Sequence, residues 1–173
     1  GIRYGVLREA VMLQMTWPGA PTIYYGDEVG LCGWTDPDNR RTYPWGHEDR
    51  ELIRFHKELI RIRKENPACR RGCSVWLFAD GGCISFGRFL EGNYVVTVLN
   101  NTEEGRRLEL PVWRLETPVG VLVNRQIMSV EDGFTLEKAY YLVLNGEIEI
   151  FMPPYSAAVL NYKSEEAVWK DYQ

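Results

Sequence analysis

The chain has 173 residues, 45% hydrophobic and 25% charged, an ordinary globular composition that suits one domain or one domain plus part of another. Its net charge of −4, without basic runs, argues against nucleic acid or an anionic membrane surface as a partner. No apolar run approaches the roughly 18 residues needed to span a bilayer, and the first residues lack the layout of a signal peptide.

The chain opens on Gly1-Ile2-Arg3-Tyr4, with no initiator methionine, and enters a helical pattern almost at once, which reads as a piece of something longer. From Tyr4 to Met15 the apolar positions Val6, Leu7, Ala10, Val11 and Met15 predict a helix with one apolar face. "TWPGAP" ends it, because two prolines and a glycine cannot continue a helix. Thr22-Ile23-Tyr24-Tyr25 then predicts a short strand without alternation, as in a parallel sheet covered on both sides. A polar loop rich in Gly, Pro, Asp and Asn runs on to about Trp45. Leu52, Phe55, Leu59 and Ile62 mark a second helix over Asp49–Glu65, with Asp49 as N-cap and Asn66-Pro67 as its stop.

After Arg71 the character changes. "SVWLFA", "CISFGRF", "NYVVTVLN", "RRLELPVW", "VGVLVNRQIM", "AYYLVL" and "EIEIFMP" are short β-rich runs separated by tight-turn residues, which predicts an antiparallel sandwich or barrel. The join lies near residues 66–72. The fold class expected is thus α+β, with residues 1–68 carrying helix, strand, loop and helix, and residues 69–173 an all-β domain. Four cysteines, Cys32, Cys69, Cys73 and Cys83, read as free thiols in a reducing compartment. Without a CxxC motif, and with neither His47 nor His56 placed to complete a tetrahedral set, no metal or other cofactor is expected. His56, on the apolar flank of the second helix, reads as a partly buried histidine with its hydrogen bonds met.

An apolar strand, a polar loop and an amphipathic helix make the repeating unit of a (β/α)8 barrel, where ligands meet the loops at the C-terminal ends of the strands. Here the residues resemble a family. "GAPTIYYGDEVG" (19–30), then "DPDNRR" (36–41) and Pro44-Trp45, look like the eighth barrel strand and following loop of the α-amylase family of glycoside hydrolases. The "DPDNRR" form is most similar to the cyclomaltodextrinase, neopullulanase and maltogenic amylase branch. The ending "MPPYSAAVLNY" likewise resembles that family's C-terminal sandwich.

The resemblance implies that the chain is the C-terminal segment of an enzyme that hydrolyses α-glucosidic bonds with retention, in maltooligosaccharides, cyclodextrins or pullulan. It also implies that the three family carboxylates lie upstream, so that the chain alone is inactive. Asp36 and Arg40 are the candidate substrate residues, since a carboxylate beside a guanidinium meets a vicinal diol from both sides. The plain alternative is an exposed turn with Asp36 capping and Arg40 solvated. Asp27 and Glu28, neighbours on a tight turn, are expected to bond backbone at the barrel rim rather than act in catalysis. Tyr43 and Trp45 either stack on substrate or, as preferred here, plug the loop against the barrel. A non-catalytic carbohydrate-binding or structural sandwich module is the competing reading. A cytoplasmic location follows from the unpaired thiols and the branch resembled. The expected partners are an α-glucan and either a second copy or the rest of the barrel, packed on an exposed edge at residues 22–25 and on the apolar faces of the flanking helices.

Overall fold

Asp49 starts the helix that the sequence specifies most fully: its carboxylate accepts the Leu52 N–H at 2.9 Å. Helix α2 (Arg50–Glu65) places Glu51 in its first turn and Arg63 and Lys64 in its last, each where the helix dipole favours that charge. Its apolar stripe of Leu52, Phe55, Leu59 and Ile62 is buried to 1% exposure or less. In the computed structural model, which describes residues 3–164, α2 follows α1 (Tyr4–Thr16) and gives way at Asn66 to the five-residue α3 (Pro67–Arg71). The part of the expected all-β segment beyond residue 164 lies outside the described residues.

Among the described residues nine strands come next: β1 (Cys73–Asp80), β2 (Cys83–Leu90), β3 (Asn93–Asn100), β4 (Arg106–Leu110), β5 (Leu122–Val130), β6 (Gly133–Thr135), β7 (Tyr140–Leu142), β8 (Ile148–Met152) and β9 (Ser156–Lys163). Seven of them form one antiparallel sheet in the order β1-β2-β3-β9-β5-β6, with β7 also paired to β5. The other two, β4 and β8, pair in a second, small sheet. The turn between β1 and β2 is Gly81-Gly82, with φ of 54° and 80°, a left-handed pair that β-hairpin turns favour.

The large sheet is covered on both faces. On one, Val96, Val98 and Leu160 meet Leu110, Ile150 and Met152 of the small sheet. On the other, Val95, Ile127 and Val159 meet Met12 and Met15 of α1 and Phe55 and Leu59 of α2. This explains why "VVTVL" in β3 shows no alternation and is buried throughout, Thr97 included: successive side chains point to opposite faces, and both faces are covered. In β8, where only one face is covered, Ile148, Ile150 and Met152 are buried and Glu149 and Phe151 are exposed.

Several expectations change here. Residues 22–25 are not a strand. A strand needs ladder partners, and none is present: the Thr22 carbonyl accepts the Gln14 side chain at 2.5 Å and the Tyr24 carbonyl accepts the Asp27 N–H at 3.1 Å. The buried face of α1 also differs, since Gly5, Arg8, Met12 and Met15 face inward while Ala10 is exposed. The faces of α1 and α2 expected to await a partner are in fact packed on the large sheet. Neither α3 nor β6 was legible from the periodicity.

Two buried polar clusters tie the helices to the sheet. Asn66 Oδ1 accepts Asn93 Nδ2 at 3.1 Å and Asn161 Nδ2 at 2.9 Å, joining the end of α2 to β3 and β9. Arg88 of β2, only 2% exposed, donates to the carbonyls of Thr16, Cys69, Gly72 and Cys73 at 2.7–3.3 Å. It thereby gathers the ends of α1 and α3 and the start of β1 around one guanidinium.

Candidate functional site

The connection from Trp17 to Asp49 is the longest loop of the described chain, and it is built from short, separately anchored turns. Arg63 of α2 secures its root by donating to the carbonyls of Met15, at 2.7 Å, and Gly19. At "GDEVG", Gly26 and Gly30 adopt φ of 94° and 71°, which glycine reaches without strain. Between them Asp27–Val29 form one 3-10 turn, and Val29 is buried. Glu28 Oε2 accepts the Gly26 N–H at 2.9 Å, the backbone role expected of it. Asp27 departs from the expectation: it is exposed, its carboxylate takes no backbone N–H among the described residues, and its own N–H bonds to the Tyr24 carbonyl.

The "DPDNRR" turn contains two ion pairs with different surroundings. Arg41 donates through Nε and Nη2 to Asp38 Oδ1, at 2.9 and 2.7 Å, while Asp38 Oδ2 accepts the Trp34 N–H at 3.0 Å. The Arg41 hydrogen bonds hold the Asp38 carboxyl below the usual range. This pair is spent on the loop itself. Arg40 Nε lies 2.7 Å from Asp36 Oδ1, and the two side chains are 69% and 62% exposed. Among the described residues neither has another polar partner, so Asp36 Oδ2 and the Arg40 Nη groups face solvent. The arrangement presents two acceptor lone pairs and several fixed donors side by side, which is the complement of neighbouring hydroxyls.

The aromatic residues also separate. Tyr43 and Trp45 pack ring to ring at 4.6 Å and 48°, with Tyr43 half-buried and Trp45 79% exposed. Trp45 thus does not pack on the helices or sheets of the described chain. Partial burial, and then the Glu28 carboxylate beside it, raise the Tyr43 phenol. Tyr25 reaches across the loop to donate to the Arg41 carbonyl at 3.0 Å. The loop therefore carries Asp36, Arg40, Glu28, Tyr43 and Trp45 along one surface segment, while His56 stays apart in α2, buried rather than partly so. Its Nδ1 lies 2.9 Å from the Leu52 carbonyl and its Nε2 is without a partner, so its hydrogen bonds are not all met, contrary to the expectation.

The roles of Asp38 and Arg41 as struts were not read from the sequence, because "DPDNRR" offers two acids and two arginines without saying which pair. Glu9 was also missed. It is 3% exposed beneath α1, with Oε2 accepting Asn101 Nδ2 at 2.9 Å and Oε1 without a partner. Burial pushes its carboxyl from 4.5 up to about 7. A Glu amid an apolar helical run was the available signal. Among the described residues no cluster of three or more His, Cys, Asp or Glu could hold a metal ion, and all four cysteines are unbridged.

The chain is similar to known proteins over most of its length. It is 40% identical over 100 residues to a cyclomaltodextrinase of Thermoanaerobacter pseudethanolicus, covering 57% of this chain and 17% of that one. It is 42% identical over 109 residues to neopullulanase 2 of Thermoactinomyces vulgaris, covering 61% and 19%. Among solved structures, an Anoxybacillus α-amylase superposes with a TM-score of 0.79 and 26% identity, over 94% of this chain and 33% of that chain. The chain thus spans under a fifth of these two curated relatives and a third of the solved one. No family model matches it.

Proposed function

We infer, from the premise that this chain belongs to the α-amylase family of glycoside hydrolases, that it is the C-terminal section of an α-glucan-degrading enzyme. In this reading residues 1–68 close a (β/α)8 barrel and residues 69–173 form the sandwich behind it. The loop at 26–45 then contributes substrate contacts to a cleft whose reacting groups stand on other barrel strands.

The observation that carries this reading is the solvent-open Asp36–Arg40 pair, held on a loop where Glu28, Glu48 and the Asp38–Arg41 pair are all spent on contacts within the loop. Nothing else in the loop needs those two side chains. We assign them to the hydroxyls of a glucose unit in an α-1,4- or α-1,6-linked glucan. Retaining hydrolysis requires two carboxyl groups about 5–5.5 Å apart across the scissile bond, one with a raised pKa. Glu28 is committed to the Gly26 N–H. Glu9 has the raised pKa but lies under α1, bonded to Asn101. The chain by itself is therefore expected to be inactive, with its role confined to binding and shape. The exposed Trp17, Tyr24 and Tyr25 support a further part of this reading, that the rest of the barrel covers this aromatic surface.

The test is made in the longer enzyme that contains this section. Losing a charged hydrogen bond to a sugar costs about 1.5–3 kcal/mol, so Asp36→Ala and Arg40→Ala should each lower kcat/KM on maltooligosaccharides roughly tenfold to a hundredfold. Unchanged kinetics would return both residues to an ordinary solvated turn. For the 173-residue chain alone, release of reducing sugar from maltoheptaose or pullulan would refute the inactive reading.

A further inference from the structure

Trp34 is 85% exposed, the most open of the large apolar side chains among the described residues, and it stands two residues before Asp36. Its exposure does not come from a loose backbone. Its N–H is fixed by Asp38 Oδ2 at 3.0 Å, and Asp38 is fixed by Arg41. On the other side Gly33 packs so closely against the next turn that a Cβ there would lie 2.5 Å from Asn39 Cα. Single exposed apolar residues are common on protein surfaces and need no explanation alone. This one differs in being an indole on a tightly bonded turn that carries, two residues further along the chain, an open carboxylate–guanidinium pair. Among the described residues it has no ring partner, whereas Tyr43 and Trp45 each use a ring face on the other.

We propose that Trp34 is an aromatic platform for the pyranose ring next to the one engaged by Asp36 and Arg40, which extends the site to a second sugar and favours longer α-glucans. This rests on the α-glucan reading above. The physical complement is direct. One face of a glucopyranose presents C–H groups that cover an indole, while its equatorial hydroxyls point outward to donors and acceptors at the rim. A flat ring selects for an adjoining sugar without reading its hydroxyl pattern. The ion pair supplies that polar recognition.

The test uses the 173-residue chain labelled with 5-fluorotryptophan and titrated with maltose, maltotriose and maltoheptaose. Its six tryptophans report separately by 19F NMR, with the Trp34 signal assigned by its loss in Trp34→Tyr. Sugar binding to each variant is followed by saturation transfer. The Trp34 resonance should shift saturably with maltoheptaose, and the Trp113 resonance should not move. Trp34→Ala should weaken maltoheptaose binding about five- to tenfold, the worth of one aromatic contact, and remove the preference for it over maltotriose. Trp34→Tyr should keep most of that preference. If Asp36→Ala weakens binding while Trp34→Ala binds as wild type and the Trp34 signal stays still, the platform is refuted and the glucan site stands. If no sugar binds saturably, or Asp36→Ala binds as well as wild type, the glucan reading itself falls, and the platform with it.

Discussion

Replacing Arg88 by methionine should be among the most destabilising single changes in this protein. The guanidinium makes four hydrogen bonds, to the carbonyls of Thr16, Cys69, Gly72 and Cys73, and no carboxylate lies among its partners. Burial lowers its pKa, a direction that reflects the cost of keeping the charge there. Each hydrogen bond to a charged group is worth about 1.5–3 kcal/mol. The four do not add fully, because they share one group and because removing the charge also removes its desolvation penalty, itself several kcal/mol. A net loss of about 3–5 kcal/mol follows, mostly from carbonyls at the ends of α1 and α3 left buried without donors. At about 2–4 °C per kcal/mol for a chain of this size, Tm should fall roughly 6–20 °C. Urea unfolding followed by far-UV circular dichroism gives the free energy directly. Arg88→Lys should recover only part of it, since one ammonium cannot span carbonyls contributed by three elements. A methionine variant within about 1 kcal/mol of wild type would show that those carbonyls find other donors and that the cluster does not hold the helices to the sheet.

Three further outcomes are expected. Glu9 ionises near 4.5 when unfolded and at about 7 when folded, so the folded state holds the extra proton between those values and stability falls as pH rises through them, by at most about 3 kcal/mol. Glu9→Gln should accordingly match wild type near pH 4.5 and exceed it by about 2–3 kcal/mol at pH 8, and a difference in urea midpoint that does not change with pH would contradict this. Asp49→Ala removes the acceptor for the Leu52 N–H and should cost about 1 kcal/mol by the same unfolding measurement, with Asp49→Asn close to neutral. In the longer enzyme, Asp38→Ala should reduce kcat/KM less than Asp36→Ala while lowering Tm, because Asp38 braces the loop and Asp36 faces solvent.

The sequence alone determined the elements whose information is local. The stripe at Leu52, Phe55, Leu59 and Ile62 specifies α2 because those spacings bring four apolar side chains to one face, and Asp49 and Pro67 mark its ends through a hydrogen bond made and one forbidden. The hairpin glycines and the β-rich runs were legible for the same reason, and so was the likeness carried by "GAPTIYYGDEVG" and "DPDNRR". Tertiary structure decided what depends on a partner distant in the chain. Thr22–Tyr25 has strand-like residues but no neighbour to complete a ladder, so it stays irregular. Helix α1 is apolar on several sides, and only the shape of the sheet selects Arg8, Met12 and Met15 over Ala10 to face inward. In "DPDNRR" the residue types were plain from the start, but which aspartate takes which arginine was decided by the folded turn, where Asp38 holds both Arg41 and the Trp34 N–H. Asp36 and Arg40 pair with each other and stay open to solvent.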